Sequence, residues 1–555
     1  MNFVSILFCS FAALTILLYY ILPQRFQWLV LLVMSMVFYA SYGLELLPAV
    51  LMTNLIVWYA ARKMAAVYDK AEEEIKASGS APRPLREAAK KRCRRILWAA
   101  VTLIVLILVF VKTQRWMSGL PVLSWIPWFI SKVYHHLGKL LVKIPGVAFL
   151  LKDDIFTDHS RMATTISVLA PLGISYYTFS LISYLADVYW KKDKPEKSYF
   201  RLLTFTVYFP KILQGPISRH RELAPQLFEG HAFNYTKFCF GLQRMLWGYF
   251  KKLVIADRLA IFVTRVFGNI ADETGAHLLV CTVFSVVQLY CDFSGCMDIA
   301  CGFSECLGLK LAENFDHPFF SQSAAEFWRR WHITLGTWFK DYIYIPLAIS
   351  PRLLSVSKKL RERFSAHTSR AFMTVVPLLA VWLLTGLWHG TGWNYVVWGL
   401  YWGLIIICST LFAAEYKKLA ELLHINTEAG SWQIFRMVRT FCLFMIGRIL
   451  TAPGDLTKSG LIVNRIFTAF HPEGFFDGSL YTRGLDRPNF LFAVVSIFVL
   501  WSVSMLQRQG SLRERIAGGN LVFRWAVYYT AIFAIIIFGI YGPGYNAASF
   551  VYMQF

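Results

Sequence analysis

An all-helical protein crossing a membrane many times is the fold class this 555-residue chain predicts, and three observations carry it. Apolar and aromatic types make up 57% of the residues and charged types only 16%, against roughly a quarter charged in an ordinary soluble domain. Apolar runs long enough to cross a bilayer, about 17–25 residues, recur along the whole chain. Lys and Arg cluster in the short stretches between those runs.

Each run is read as a helix because backbone groups find no water to bond in lipid. The runs are too long and too continuous for barrel strands, which alternate over about ten residues. Candidate spans fall near 3–22, 26–43, 46–61, 96–112 and 164–188. Later ones fall near 238–256, 276–291, 371–389, 392–413, 436–450, 489–506 and 522–541. About eleven are expected to span. The opening MNFVSILF has no basic n-region and no cleavage site after it, so it reads as a retained helix.

The net charge of +23 invites a nucleic-acid reading, but its distribution is a topology signal. Excess Lys and Arg mark cytoplasmic loops. The basic stretch 66–95, with KKRCRR at 90–95, is therefore expected to be a cytoplasmic loop, which puts the N-terminus outside. Segment 113–162, amphipathic and rich in Trp, reads as an interfacial insertion. Residues 200–222, interrupted by Pro210, Gly215 and Pro216, read as a re-entrant element with Lys211, Gln214, Arg219 and His220 at its mouth. Arg219 and Arg221 can equally mark lipid headgroups. Residues 323–350 read as an amphipathic helix, and 452–487 as an extramembrane loop. Ten cysteines lie scattered among apolar segments. Cys291, Cys296, Cys301 and Cys306 recur every five residues, about 140° apart on a helix, and match no zinc spacing. They read as buried, inert thiols.

Ionisable groups at membrane depth are costly and mark function. Two segments concentrate them. EFWRRWHITLGTWFKDYIYIPL (326–347) carries His332, and TGLWHGTGWNYVVWG (385–399) carries His389. Glu326 stands three before Arg329 and four before Arg330, ordinary helix-face pairings. Asp341 is expected to pair with Arg330 or with a loop. Asp292 and Asp298 sit inside an apolar run, and Arg329, Arg330 or Lys340 are their expected partners.

Five segments together resemble the membrane-bound O-acyltransferase family: PLGISYYTFSLISYLADVY (171–189), YFPKILQGPISRHREL (208–223), LYCDFSGCMDIACGF (289–303), 313–347 and 385–399. The likeness is strongest to its bacterial branch, the alginate O-acetylation and teichoic acid D-alanyl transfer proteins, and the final SFVYMQF is similar to that branch's ending. The resemblance implies one membrane-embedded domain over 1–555 with a catalytic core at 171–399, a helical ring around a central tunnel. It implies a transferase using acetyl-coenzyme A or another acyl thioester as donor substrate, with no bound cofactor or metal. His389 is then the general base and His332 its companion.

A neutral imidazole that takes the proton from an attacking hydroxyl is worth about 10²–10⁴ in rate. Arg330, His332, Asn394, Trp388 and Trp393 are candidate donors to the developing oxyanion. Arg330, Asp341, Trp388, Asn394, Asp292 and Asp298 make up the candidate substrate or tunnel set. The expected acceptor is an exported cell-surface polysaccharide, with a separate extracytoplasmic esterase-like partner, in a bacterial plasma membrane. D-Alanyl transfer to teichoic acid is the alternative, and a transporter or flippase the alternative from another class. Nothing points to nucleic acid.

Overall fold

The structure is a computed structural model that describes residues 3–43, 47–78, 82–118, 173–390 and 392–541. The described chain is helical throughout, with one isolated antiparallel bridge between Phe315 and Trp331. It divides into two compact units, residues 7–233 and residues 234–555 together with 2–6.

The first unit opens with α1 (Ile6–Ile21) and α2 (Gln27–Ala40), followed by α3 (Leu47–Ser78) and α4 (Pro82–Ser118). The basic stretch read as a loop is helical over 66–78 and 82–95. Ala, Glu, Lys and Arg are strong helix formers, so α3 and α4 run on past their apolar portions. Beyond residue 118 the expected interfacial insertion lies outside the described residues, as do the start of the 164–188 span and the SFVYMQF ending. α5 (Ile174–Tyr189), α6 (Tyr199–Val207), α7 (Phe209–Ile212) and α8 (His220–Glu229) complete the unit. Segment 199–229 is broken, as its prolines predict.

The second unit begins with α9 (Tyr235–Tyr249), a π-turn at Phe250–Ala256 and α10 (Asp257–Gly268). Its spine is α11 (Gly275–Cys306), whose most apolar window is 83% buried. Two glycines seven residues apart on α9 face two on α11. A Cβ on Gly241 would meet the Gly302 carbonyl at 2.5 Å, and one on Gly248 the Gly295 carbonyl at 2.7 Å. Small residues at such positions let membrane helices approach backbone to backbone. The five cysteines of α11, Cys281 and the four from Cys291 to Cys306, are buried free thiols.

After α11 come α12 (Ala324–Arg330), α13 (Ile333–Phe339), a π-turn at Lys340–Tyr344, α14 (Ile345–Ala348) and α15 (Pro351–Arg363). α16 (Ala366–His389) and α17 (Trp393–Leu411) form a close pair, because a Cβ on Gly386 would collide with the Tyr395 carbonyl. α18 (Ala413–Leu422), α19 (Gly430–Thr451), α20 (Leu456–Thr468), α21 (Arg487–Arg508), α22 (Leu512–Ala517) and α23 (Leu521–Phe538) follow. The expected 452–487 loop therefore contains a helix, α20.

Five described helices are long and apolar enough to cross a membrane: α11, α16, α17, α21 and α23. The larger expected count rested on runs that here form shorter helices (α1, α2) or parts of longer, more polar ones (α3, α4, α19). α23 buries none of its most apolar window. Its bare Ile536 and Ile537, like Phe498 and Trp501 of α21, make an apolar surface suited to lipid.

Candidate active site

The expected helix over 323–350 is not continuous. Ser323 caps α12 by accepting from the Glu326 amide, and the Glu326 carboxylate accepts from the Gln322 amide and pairs with Arg330 at 2.8 Å. The Ser323 cap, the Glu326 bond to Gln322 and the ion pair account for Glu326 and Arg330 within the helix and its N-terminal flank. Arg329 is exposed. The helix then ends, and His332 adopts a left-handed backbone, φ 47°. A non-glycine residue held there costs about 1–3 kcal/mol and persists where its surroundings over-determine it.

Segment 314–316 supplies that constraint. The Asn314 carbonyl accepts from the Ile333 amide, and its Oδ1 accepts from both the amide and the hydroxyl of Thr334, at 3.0 and 2.7 Å. The Asp316 amide donates to the Arg330 carbonyl. His332 is 2% exposed, its ring edge-on to Phe293 at 4.9 Å. Burial pushes its imidazole down to about 3, so the ring is neutral at ordinary pH.

His389 is the last residue of α16 and is 8% exposed. Its ring lies 4.7 Å from Trp388 and 4.9 Å from Trp398, and Trp388 lies 6.2 Å from His332. One indole therefore touches both histidines. His389 lines a cavity of 40 Å³ whose walls include Trp328, Trp331, Trp398, Phe444 and Arg448. Asn394 is buried at the start of α17, whereas Trp393 is 76% exposed, which turns that indole away from any oxyanion.

The carboxylates of α11 find partners other than those expected. Asp292 pairs with Lys252 at 2.6 Å, and Asp298 with Lys251 at 2.7 Å and Arg244 at 3.0 Å. The glycine contacts that bring α9 against α11 put these cations in reach before anything on 329–340. Asp341 stands 3.9 Å from its neighbour Lys340. Asp298, Arg244, Lys251 and Glu313 line a separate cavity of 940 Å³, with α21 and α23 opposite. Asn314 and Phe315, which brace the His332 break, also line it. Neither histidine does.

In the first unit, Lys211, Gln214, Arg219 and His220 are all buried, so Arg219 does not sit at a headgroup position. The Lys211 ammonium stands 3.5 Å over the Phe205 ring, and His220 bonds Asp193 at 2.8 Å.

Sequence reasoning passed over Arg448, Lys251 and Lys252. Each is a charge inside a run already read as apolar, 436–450 or 238–256, and that alone is a functional signal.

Residues 196–450 match the model of the membrane-bound O-acyltransferase family. Both histidines and the whole of α11, α16 and α17 fall inside that match. Among curated proteins, the chain is 35% identical over 301 residues to a probable alginate O-acetylase of Pseudomonas syringae pv. tomato, covering 54% of this chain and 52% of that protein. It is 30% identical to a peptidoglycan O-acetyltransferase of Helicobacter pylori (54% and 60% covered). It is 28% identical to a teichoic acid D-alanyltransferase of Bacillus subtilis (45% and 62% covered). The chain thus spans about half the length of the first of these relatives and somewhat more of the other two.

Proposed function

We propose that this membrane protein is an O-acetyltransferase that moves an acetyl group from a cytoplasmic thioester, such as acetyl-coenzyme A, to hydroxyls of an exported cell-surface polysaccharide. The observation that carries the reading is His389, buried at a helix end and opening onto a small aromatic cavity inside the matched domain. His389 acts as general base. It takes the proton of the hydroxyl that receives the acetyl, on the glycan or on the protein that completes delivery, as the oxygen attacks the thioester carbonyl. A C–O bond forms, the C–S bond breaks, and the proton passes to the departing thiolate. Arg448 lines the same cavity and supplies guanidinium donors for the developing oxyanion.

His332 holds the opposite side of Trp388 as a neutral ring and is a positioning residue. Asn394 orders the start of α17 beside the base. Asp292, Asp298, Arg330 and Asp341 act on the frame and not on the reacting atoms. The cavity of 940 Å³ is within the size range of small-molecule sites and is the candidate entrance for the larger substrate. The enzyme sits in a bacterial plasma membrane with its N-terminus outside and the basic α3–α4 hairpin in the cytoplasm. A separate extracytoplasmic esterase-like protein completes delivery to the glycan.

The more similar relatives are named as O-acetylating proteins, which favours acetyl over D-alanyl transfer and lends nothing to a transporter. Membrane vesicles given acetyl-labelled coenzyme A test the reading. Label should appear as alkali-labile ester on surface glycan. Label absent from glycan but present on teichoic acid with a D-alanyl donor would establish the alternative.

A further inference from the structure

The 40 Å³ cavity at His389 has a size and a wall chemistry that together specify an acyl group. A single water needs roughly 10–15 Å³ of such space, so the cavity is small, on the scale of a short acyl group and not of a long chain. An acetyl group has three heavy atoms: carbonyl carbon, carbonyl oxygen and methyl.

The walls are braced from behind. Trp331 and Phe444, 2% and 4% exposed, have ring centroids 5.0 Å apart. Phe444 is backed by Phe327 at 4.5 Å, and Trp398 packs against Trp328 at 5.6 Å. Leu289 of α11 closes another side. Rings packed on both faces yield little to a longer chain, because interiors are as dense as organic crystals.

The charge is equally selective. Among the described residues lining the cavity there is no carboxylate, and Arg448 is the one fixed charge. A guanidinium suits a carbonyl oxygen and repels the ammonium of an aminoacyl group.

We propose that this cavity is the acyl pocket and that Phe444, Leu289 and Trp331 limit the transferred group to two carbons, while Arg448 rejects aminoacyl donors. The proposal rests on the acyltransfer reading above and adds the selector residues to it. Each methylene a pocket rejects is worth about 10–200-fold in selectivity, and butyryl has two more than acetyl.

The test is turnover of acetyl-, butyryl- and D-alanyl-thioesters of coenzyme A by the full-length purified protein. Phe444→Ala and the milder Leu289→Ala are assayed alongside, with the thermal midpoint of each recorded. Wild type should prefer acetyl over butyryl by at least 100-fold. Phe444→Ala, or Leu289→Ala if the first does not fold, should narrow that ratio at least tenfold. Arg448→Met should raise the share of D-alanyl turnover. Acetyl and butyryl turned over equally by wild type, or a ratio unchanged in the folded variants, would mark the cavity as a packing void and overturn this inference alone. No turnover of any thioester would overturn the acyltransfer reading and this one with it.

Discussion

His332 and His389 flank the same indole, yet the chain holds them in opposite ways. His389 ends a regular helix, and its ring is positioned by packing, with Trp388 on one side and Trp398 on the other. His332 sits where no helix continues. Its backbone is left-handed and is fixed by three hydrogen bonds from residues 333 and 334 to Asn314. The His389 ring lines the 40 Å³ cavity, and His332 is not among that cavity's lining residues. On the function proposed above, that difference divides their work: His389 would do chemistry at a space, and His332 would set the shape of the wall.

That division breaks or sharpens under substitution, and the largest effect should come from the frame beneath both. Asp292→Ala leaves Lys252 with one carboxylate, Asp257 at 2.8 Å, in place of two. Leaving a buried charge wholly unpaired costs about 3–5 kcal/mol; with Asp257 still on Lys252 the loss should fall below that, and a lowered thermal midpoint in detergent measures it. Asp292→Asn should recover part of the loss by keeping a hydrogen-bond acceptor.

Gly302→Ala comes next. It forces a Cβ to within 2.5 Å of the Gly241 carbonyl, and overpacking of this kind costs about 1–3 kcal/mol. The α9–α11 contact should loosen, read as faster proteolysis.

Exchanging the residue at 332 separates backbone from ring. His332→Gly relieves the left-handed strain while removing the imidazole, so it should fold more stably than His332→Ala, by about 1 kcal/mol. If His332 only positions, His332→Gly should keep more activity than the alanine variant. Equal, complete inactivation of both would assign His332 to the chemistry and erase the contrast with His389.

The last effect shows only below neutral pH. The folded value of His332, about 3, lies below its ordinary 6.5, so the unfolded chain takes up the proton first. Stability from this group is intact above about pH 6.5 and falls as pH drops toward 3. His332→Phe should flatten that slope in a denaturation series.

Much of this was legible in the residues. The spans α11, α16, α17, α21 and α23, the broken segment near 210 and the aromatic surroundings of both histidines follow from hydropathy, proline placement and polar residues in apolar surroundings. Partnerships were not. Asp292 and Asp298 needed cations, but only the paired glycines, 241 and 248 against 295 and 302, show that α9 brings them. Their matching seven-residue spacing was visible, though spacing does not name the facing helix. The 66–95 stretch was read by its charge as a loop, although its residue types favour a helix. Arg448 was hidden because a single cation in FCLFMIGRIL barely lowers the hydropathy of its run. The His332 kink depends on Asn314, eighteen residues earlier, and local periodicity does not report that.

The most direct measurement is acetyl transfer from acetyl-coenzyme A by purified wild type, His389→Ala and His389→Gln, each shown to be folded by its thermal midpoint. Loss of a general base predicts a fall of about 10²–10⁴ in rate in both variants, with acetyl-coenzyme A binding retained. A folded His389→Ala protein that transfers acetyl at the wild-type rate would contradict the account.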